Sequence, residues 1–333
     1  MVQNLNWLWR VRMVRLRVKS WVAEWIIKSI APLFRWAPMQ GLYRTLPRVL
    51  GWLPPGWRGS GYSLCRQNLA LFDYDPMQCD DAARRYMAIQ LQRQINKYLY
   101  EIHAPAQLRE RLDNILWVDP LALFQRSQEQ PCLVLLTHTG EHWMAVAKIV
   151  AHTQVATHFI IPILAFADEM TVRSMKSLEA FGHTVEVRDV NDPKVALAII
   201  RGARQGKRIV IFYDLPVSIG ATYFGAHVSG RFLARDAQFV KGPLFLASKL
   251  QFNVLLAGHR VIPGQASEFH LFDWVEAGDL EAMSQRCMVA LERFIRQSPE
   301  NWFYLSRMEA YFHRQRSAAD MPIKIPNALL AQR

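Results

Sequence analysis

Cysteine is scarce in this chain. Of 333 residues only Cys65, Cys79, Cys132 and Cys287 are cysteines, and no two have CxxC spacing. That excludes a disulfide framework and a cysteine-based zinc knuckle, and reads as reduced core residues of a cytosol-facing protein. A Gly-x-Ser-x-Gly nucleophile elbow is missing, as is the His-Glu-x-x-His signature of a zinc protease, so neither a serine nucleophile nor a metal site is expected. There is no internal repeat, no low-complexity tract, no convincing signal-peptide cleavage site and no apolar run long enough for a membrane span. Acid is in short supply: 28 Asp and Glu against 40 Lys and Arg give a formal charge of +12. Such a surplus suits an anionic partner, whether nucleic acid, an acidic protein or an anionic membrane. What is present is a chain about half apolar, enough for one large or two ordinary domains.

The first segment concentrates the charge. Arg10, Arg12, Arg15, Arg17 and Lys19 occur with no acidic residue among them. Arg12, Arg15 and Lys19 share one helical stripe, and Val11, Val14 and Val18 the adjacent one. Trp21, Val22, Trp25, Ile26, Ile30 and Leu33 then share a face, with Glu24 and Lys28 paired at i,i+4 on another. Basic residues beside a Trp-rich amphipathic helix are what an interfacial anchor on an anionic leaflet requires. The basic residues alternate with Val, Leu and Met and no nucleic-acid motif follows, so nucleic acid is not the expected partner. The expected organisation is a basic anchoring segment over 1–38, an α/β domain over 39–316 and a polar tail over 317–333.

The stretch CLVLLTHTGEHWMAVAKIVAH, 132–152, carries the chemistry. Cys132 to Leu136 predict a short buried strand, Thr137 to Gly140 a polar turn, and the residues from Glu141 a helix with Trp143, Val146, Ala147 and Val150 on one face. His138 therefore falls where a strand ends and a helix begins, the edge at which open α/β sheets bind ligands. A histidine there can take a proton from a hydroxyl near neutral pH, given a carboxylate to orient it. Glu141, three residues on, is the nearest carboxylate; it can equally complement the positive end of the helix. The N–H groups around Gly140 to His142 are placed to hold an oxyanion.

Around this stretch the pattern alternates. Residues 38–63, rich in Pro, Gly and Trp, predict short helices and turns; 80–102 predict a long helix. Strands are expected over 158–164, 183–190, 207–214 and 252–262, and helices over 168–181, 195–206, 242–250 and 277–297. Alternating strands and helices mean an α/β fold with a largely parallel central sheet flanked by helices, carrying the N-terminal amphipathic membrane-associating helix.

Taken in order, these features resemble the late acyltransferases of lipid A biosynthesis, the lauroyl/myristoyl type within the lysophospholipid acyltransferase superfamily. RQNLALFDYD (66–75), LVLLTHTGEHW (133–143), IFYDLP (211–216), YFG (223–225), VKGPLFLASKL (240–250) and SPENWFYLSRMEAYF (298–312) are each similar to a family segment, and together span roughly 40–312. The resemblance implies an enzyme on the cytoplasmic face of the inner membrane. It would move an acyl group from an acyl carrier protein or coenzyme A thioester to a glycolipid hydroxyl, with no further cofactor. It implies roles for His138 as base and for Gly140, Trp143, Asp214, Phe224, Gly225, Gly242 and Arg307 in the site. A thioester donor demands no nucleophilic Ser or Cys.

The block departs from the family at its centre. The family places a carboxylate five residues after the histidine; here that residue is Trp143, and His142 stands where the family has tryptophan. Either Glu141 replaces the missing acid, or His142 or the distant Asp214 takes a role with a different donor or acceptor, or the scaffold only binds a lipid or carrier protein. Aminoacyl transfer, which some superfamily members perform on lipid A, is the alternative reaction. The interval from Gly225 to Gly242 is longer than the family's and carries Arg231 and Arg235; with Lys241 they are candidates for phosphate contact, or plain solvated loop charges.

Overall fold

Every residue of the segment Leu133–Leu136 is apolar, and the fold uses all of them because both faces of the strand are covered. In the computed structural model Leu133 and Leu135 enter one core cluster while Val134 and Leu136 enter another on the opposite face. The described residues are 39–53, 59–102, 104–163, 169–190, 192, 194–219, 222–223 and 226–312, with Val18, Trp21, Val22, Glu24, Trp25, Ile26, Lys28 and Ser29 near the N-terminus.

The elements run α1 (Met39–Trp52), α2 (Ser60–Leu69), α3 (Pro76–Ile102), α4 (Pro105–Asp113), β1 (Leu116–Val118), α5 (Leu123–Glu129), β2 (Cys132–Leu136), α6 (His142–His152), β3 (His158–Ile163), α7 (Glu169–Lys176), β4 (Thr184–Asp189), α8 (Val195–Arg204) and β5 (Arg208–Phe212). They continue with β6 (Ser218–Ile219), β7 (Thr222–Tyr223), β8 (His227–Phe232), β9 (Arg235–Val240), α9 (Gly242–Leu250), β10 (Asn253–Arg260), β11 (Glu268–Val275) and α10 (Leu280–Arg296). Two 3-10 turns, Pro299–Asn301 and Leu305–Tyr311, close the described chain.

The sheet has seven strands in the order β1-β11-β10-β2-β5-β3-β4. Every neighbouring pair is parallel except β10 with β11, so the fold is α/β with a mixed, largely parallel sheet flanked by helices. Neither β1 nor β11 is among the strands expected from sequence. In β11 the apolar alternation is broken: Phe269, Leu271 and Val275 are buried, and the register against β10 shifts between Leu256 and Ala257, so no clean period survives. The interval after Gly225 forms a separate β8–β9 hairpin whose turn places Leu233 and Ala234 at positive φ.

β2 and β5 lie side by side and parallel, with Leu136 opposite Phe212. Beyond β2 the chain leads to β3 on the far side of β5, and beyond β5 it leads to β10 on the far side of β2. Their carboxyl ends therefore open on one edge from connections that cross, the placement at which α/β sheets build sites. All four cysteines are free; Cys65, Cys79 and Cys287 are buried, and burial pushes each thiol above its ordinary value. Most of segment 1–38, residues 317–333, Phe224 and Gly225 lie outside the described residues.

Candidate active site

His138 comes two residues after β2 ends, and Asp214 two residues after β5 ends. Because the strands are neighbours, the two side chains meet. His138 Nδ1 lies 2.6 Å from Asp214 Oδ1, and the His138 backbone N–H donates to both carboxylate oxygens at 3.0 and 2.8 Å. Trp302 Nε1 donates to Asp214 Oδ2 at 3.2 Å. Tyr311 hydroxyl donates to the Asp214 carbonyl at 2.6 Å. Asp214 is fully buried, whereas His138 keeps 9% exposure. An acceptor-only carboxylate at Nδ1 fixes the ring proton there and leaves Nε2 with its lone pair. The carboxylate on the His138 ring is thus Asp214, and not Glu141, which the sequence offers first.

Glu141 is buried and occupies the N-cap position of α6. Its backbone N–H donates to His259 Nδ1 at 3.0 Å, and the Gly140 N–H donates to the Asn301 carbonyl at 2.8 Å. Both N–H groups are therefore spoken for, which corrects the expectation that they serve an oxyanion. In the first turn of α6 the Met144 N–H donates to the Glu141 carbonyl at 2.8 Å, which leaves the N–H groups of His142 and Trp143 with no carbonyl of their own helix to bond. Gly140 itself sits at φ +52°, and a Cβ there would lie 2.7 Å from the His259 carbonyl oxygen. Only glycine fits that turn.

The turn is pinned from two sides. Thr137 N–H donates to the Ala257 carbonyl of β10 at 3.0 Å, and the Phe303 N–H to the His138 carbonyl at 2.8 Å. Thr139 forms an antiparallel bridge with Trp302. Asn301 in turn bonds both backbone groups of Val261 at 2.8 and 3.2 Å.

Aromatic rings enclose the imidazole: Phe212 at 4.3 Å between centroids, Tyr304 at 5.2 Å and the His142 ring at 4.8 Å. His142 is held well below the usual histidine range, first by burial and then by Arg93, so it is neutral at pH 7, and its Nδ1 makes no hydrogen bond. Trp143 packs edge-on to Phe212 at 5.4 Å.

Of the other basic residues indicated by the sequence, Arg231 and Arg235 are engaged by acids elsewhere. Arg231 bonds Asp236 and the Ala234 carbonyl; Arg235 forms a two-pronged pair with Glu309 at 2.7 and 3.0 Å. Lys241 lies 5.2 Å over the Phe245 ring beside Gly242, the first residue of α9. Arg307 is exposed, with its guanidinium 5.9 Å from the Phe303 ring. Among the described residues no cluster of His, Cys, Asp and Glu is arranged to hold a metal.

Sequence reasoning missed Arg93, His259 and Trp302. Trp302 and His259 lie inside segments read for their backbone pattern. Arg93 lies in a long helix dense with other polar residues, where nothing local distinguishes an inward-facing arginine.

His259 is completely buried, and burial pulls it down to about 3 from 6.5. Unfolded, both His142 and His259 take a proton near 6.5; folded, they do so only far below. The unfolded state then binds more protons as pH falls through 6.5, so stability declines toward acid, by about 1.4 kcal/mol per pH unit for each histidine. Urea unfolding between pH 7 and 5 should show this slope, and His259→Gln should flatten it; parallel curves for the two proteins would contradict the assignment.

No protein-family model matches this chain, and no curated protein matches it.

Proposed function

We propose that this chain is a membrane-associated acyltransferase that moves an acyl group from a thioester donor to a hydroxyl of a glycolipid or lipid A-like acceptor. The observation that carries the reading is the His138–Asp214 pair at the carboxyl edge of β2 and β5, with Nδ1 held 2.6 Å from Asp214 Oδ1. Nε2 takes the proton from the acceptor hydroxyl as its oxygen attacks the acyl carbon. The tetrahedral intermediate collapses, the carbon–sulfur bond breaks, and the imidazolium returns its proton to the departing thiolate. Asp214 steadies the imidazolium in between. The first turn of α6 supports the oxyanion, in place of the Gly140 and Glu141 N–H groups. The donor, on this reading, is an acyl carrier protein or coenzyme A thioester, and a surface of +12 suits an acidic carrier.

The placement proposed is the cytosolic leaflet of the inner membrane. Trp21 and Trp25 are helical and 66% and 65% exposed, with Val18, Val22 and Ile26 exposed beside them, while Glu24 pairs with Lys28 at 2.8 Å. An exposed apolar, Trp-bearing face is what interfacial docking uses. Among the described residues no helix is long and apolar enough to cross a membrane.

The test is mass spectrometry of lipid A and total lipid extracts from cells with the chain, without it, and with His138→Ala. The expected outcome is a product heavier by one fatty acyl group that disappears in the variant. A smaller increment would replace fatty acyl with aminoacyl transfer. Unchanged lipids in all strains would refute the reading.

A further inference from the structure

The arginines of α3 are not alike. Arg84 pairs with Asp80, and Arg85 with Asp81 and Glu300. Arg93, two turns further on, has no carboxylate partner among the described residues, is 5% exposed, and its Nη1 makes no hydrogen bond. Its guanidinium lies 3.9 Å over the Phe303 ring, the same ring that stands 6.2 Å from His138 and 6.1 Å from His142. Lys97 follows one turn later on the helix, half-buried, and burial with the nearby Arg93 charge brings it down to about 8. Arg93 itself is lowered to about 10, so it stays charged at neutral pH. Arg307 approaches Phe303 as well. Beside them His142 presents an unbonded Nδ1.

A buried cation with an empty donor is costly to keep unless something anionic arrives to meet it. Of the charges that the sequence offered for that purpose, Arg231 and Arg235 are already matched by Asp236 and Glu309, and Lys241 lies over the Phe245 ring. We infer that Arg93, with Arg307 at the same Phe303 ring, forms an anion subsite beside His138 that receives a phosphomonoester group of the substrate. Two arginines beside a neutral imidazole suit a dianion better than a single carboxylate, and the arginine fork fits phosphate oxygens. The subsite rests on the reading of the His138 pocket as a substrate site, but its test needs no turnover.

The experiment is thermal unfolding of the full chain and of Arg93→Met in phosphate-free buffer, then with inorganic phosphate against chloride of equal ionic strength. In buffer, Arg93→Met should melt higher than the wild type, because an unmatched buried charge has gone. Phosphate at about a hundredfold its half-saturating level should raise the wild-type Tm by ~3 °C or more, and leave Arg93→Met unmoved. Detergent-dispersed phosphatidic acid against diacylglycerol gives the second arm. A shift with phosphatidic acid alone assigns the group to a lipid headgroup, and a shift with both admits the free ion. An Arg93→Met protein that melts lower than wild type, or that responds to phosphate equally, overturns the subsite, as does a wild type that responds to neither ligand. An intact phosphate response beside unchanged cellular lipids would refute the acyl transfer and leave the subsite standing.

Discussion

Asp214→Asn should lower the rate of the proposed acyl transfer about 10³–10⁴-fold with little change in Tm. The carboxamide keeps the size and one acceptor oxygen, so the His138 backbone N–H and the Trp302 indole can still be satisfied in part. What it removes is the acceptor-only character at Nδ1. Facing an amide donor, the imidazole moves its proton to Nε2, and the lone pair that deprotonates the acceptor is gone. The partner substitution sharpens the result. The carboxylate on the His138 ring is that of Asp214, so Glu141→Gln should stay active. Rates would be read with purified protein, a thioester donor and lipid acceptor. If Glu141→Gln were the inactive protein and Asp214→Asn the active one, the pair would be misassigned.

Gly140→Ala should destabilise the protein by about 2–5 kcal/mol and abolish activity. Two penalties act together: a left-handed backbone for a residue with a Cβ, roughly 1–2 kcal/mol, and forced overlap, about 1–3 kcal/mol. The overlap has little relief, since the added carbon meets the backbone oxygen of His259 at 2.7 Å. That backbone belongs to β10, paired on both sides within the sheet. Urea unfolding measures the loss; a change below about 1 kcal/mol would mean that the turn can relax away from β10.

His138 was legible because its signal is local: a branched apolar run, a polar break with glycine, then a helical period. Asp214 was legible as a strand end for the same reason. Their contact was not, because it depends on β5 inserting between β2 and β3 after two further strands have been laid down. No spacing in the sequence encodes that neighbour relation. Glu141 attracted the partner's role by being close in sequence, where the sheet brings a carboxylate from seventy-six residues away. The hairpin over β8 and β9 shows the converse. Its residue types were visible, but whether Arg231 and Arg235 face a groove or their own acids depends on hairpin register and on Glu309.

The pinning of the His138 turn by Asn301, Trp302 and Phe303 has a consequence for synthesis. A chain emerging from the ribosome presents the central strands long before residues 301–303. Until that last segment arrives, the Gly140 N–H lacks its acceptor and Asp214 lacks the indole. In the nascent chain the His138–Asp214 pair is therefore incompletely held, and its geometry is set only once residues 301–303 have been made.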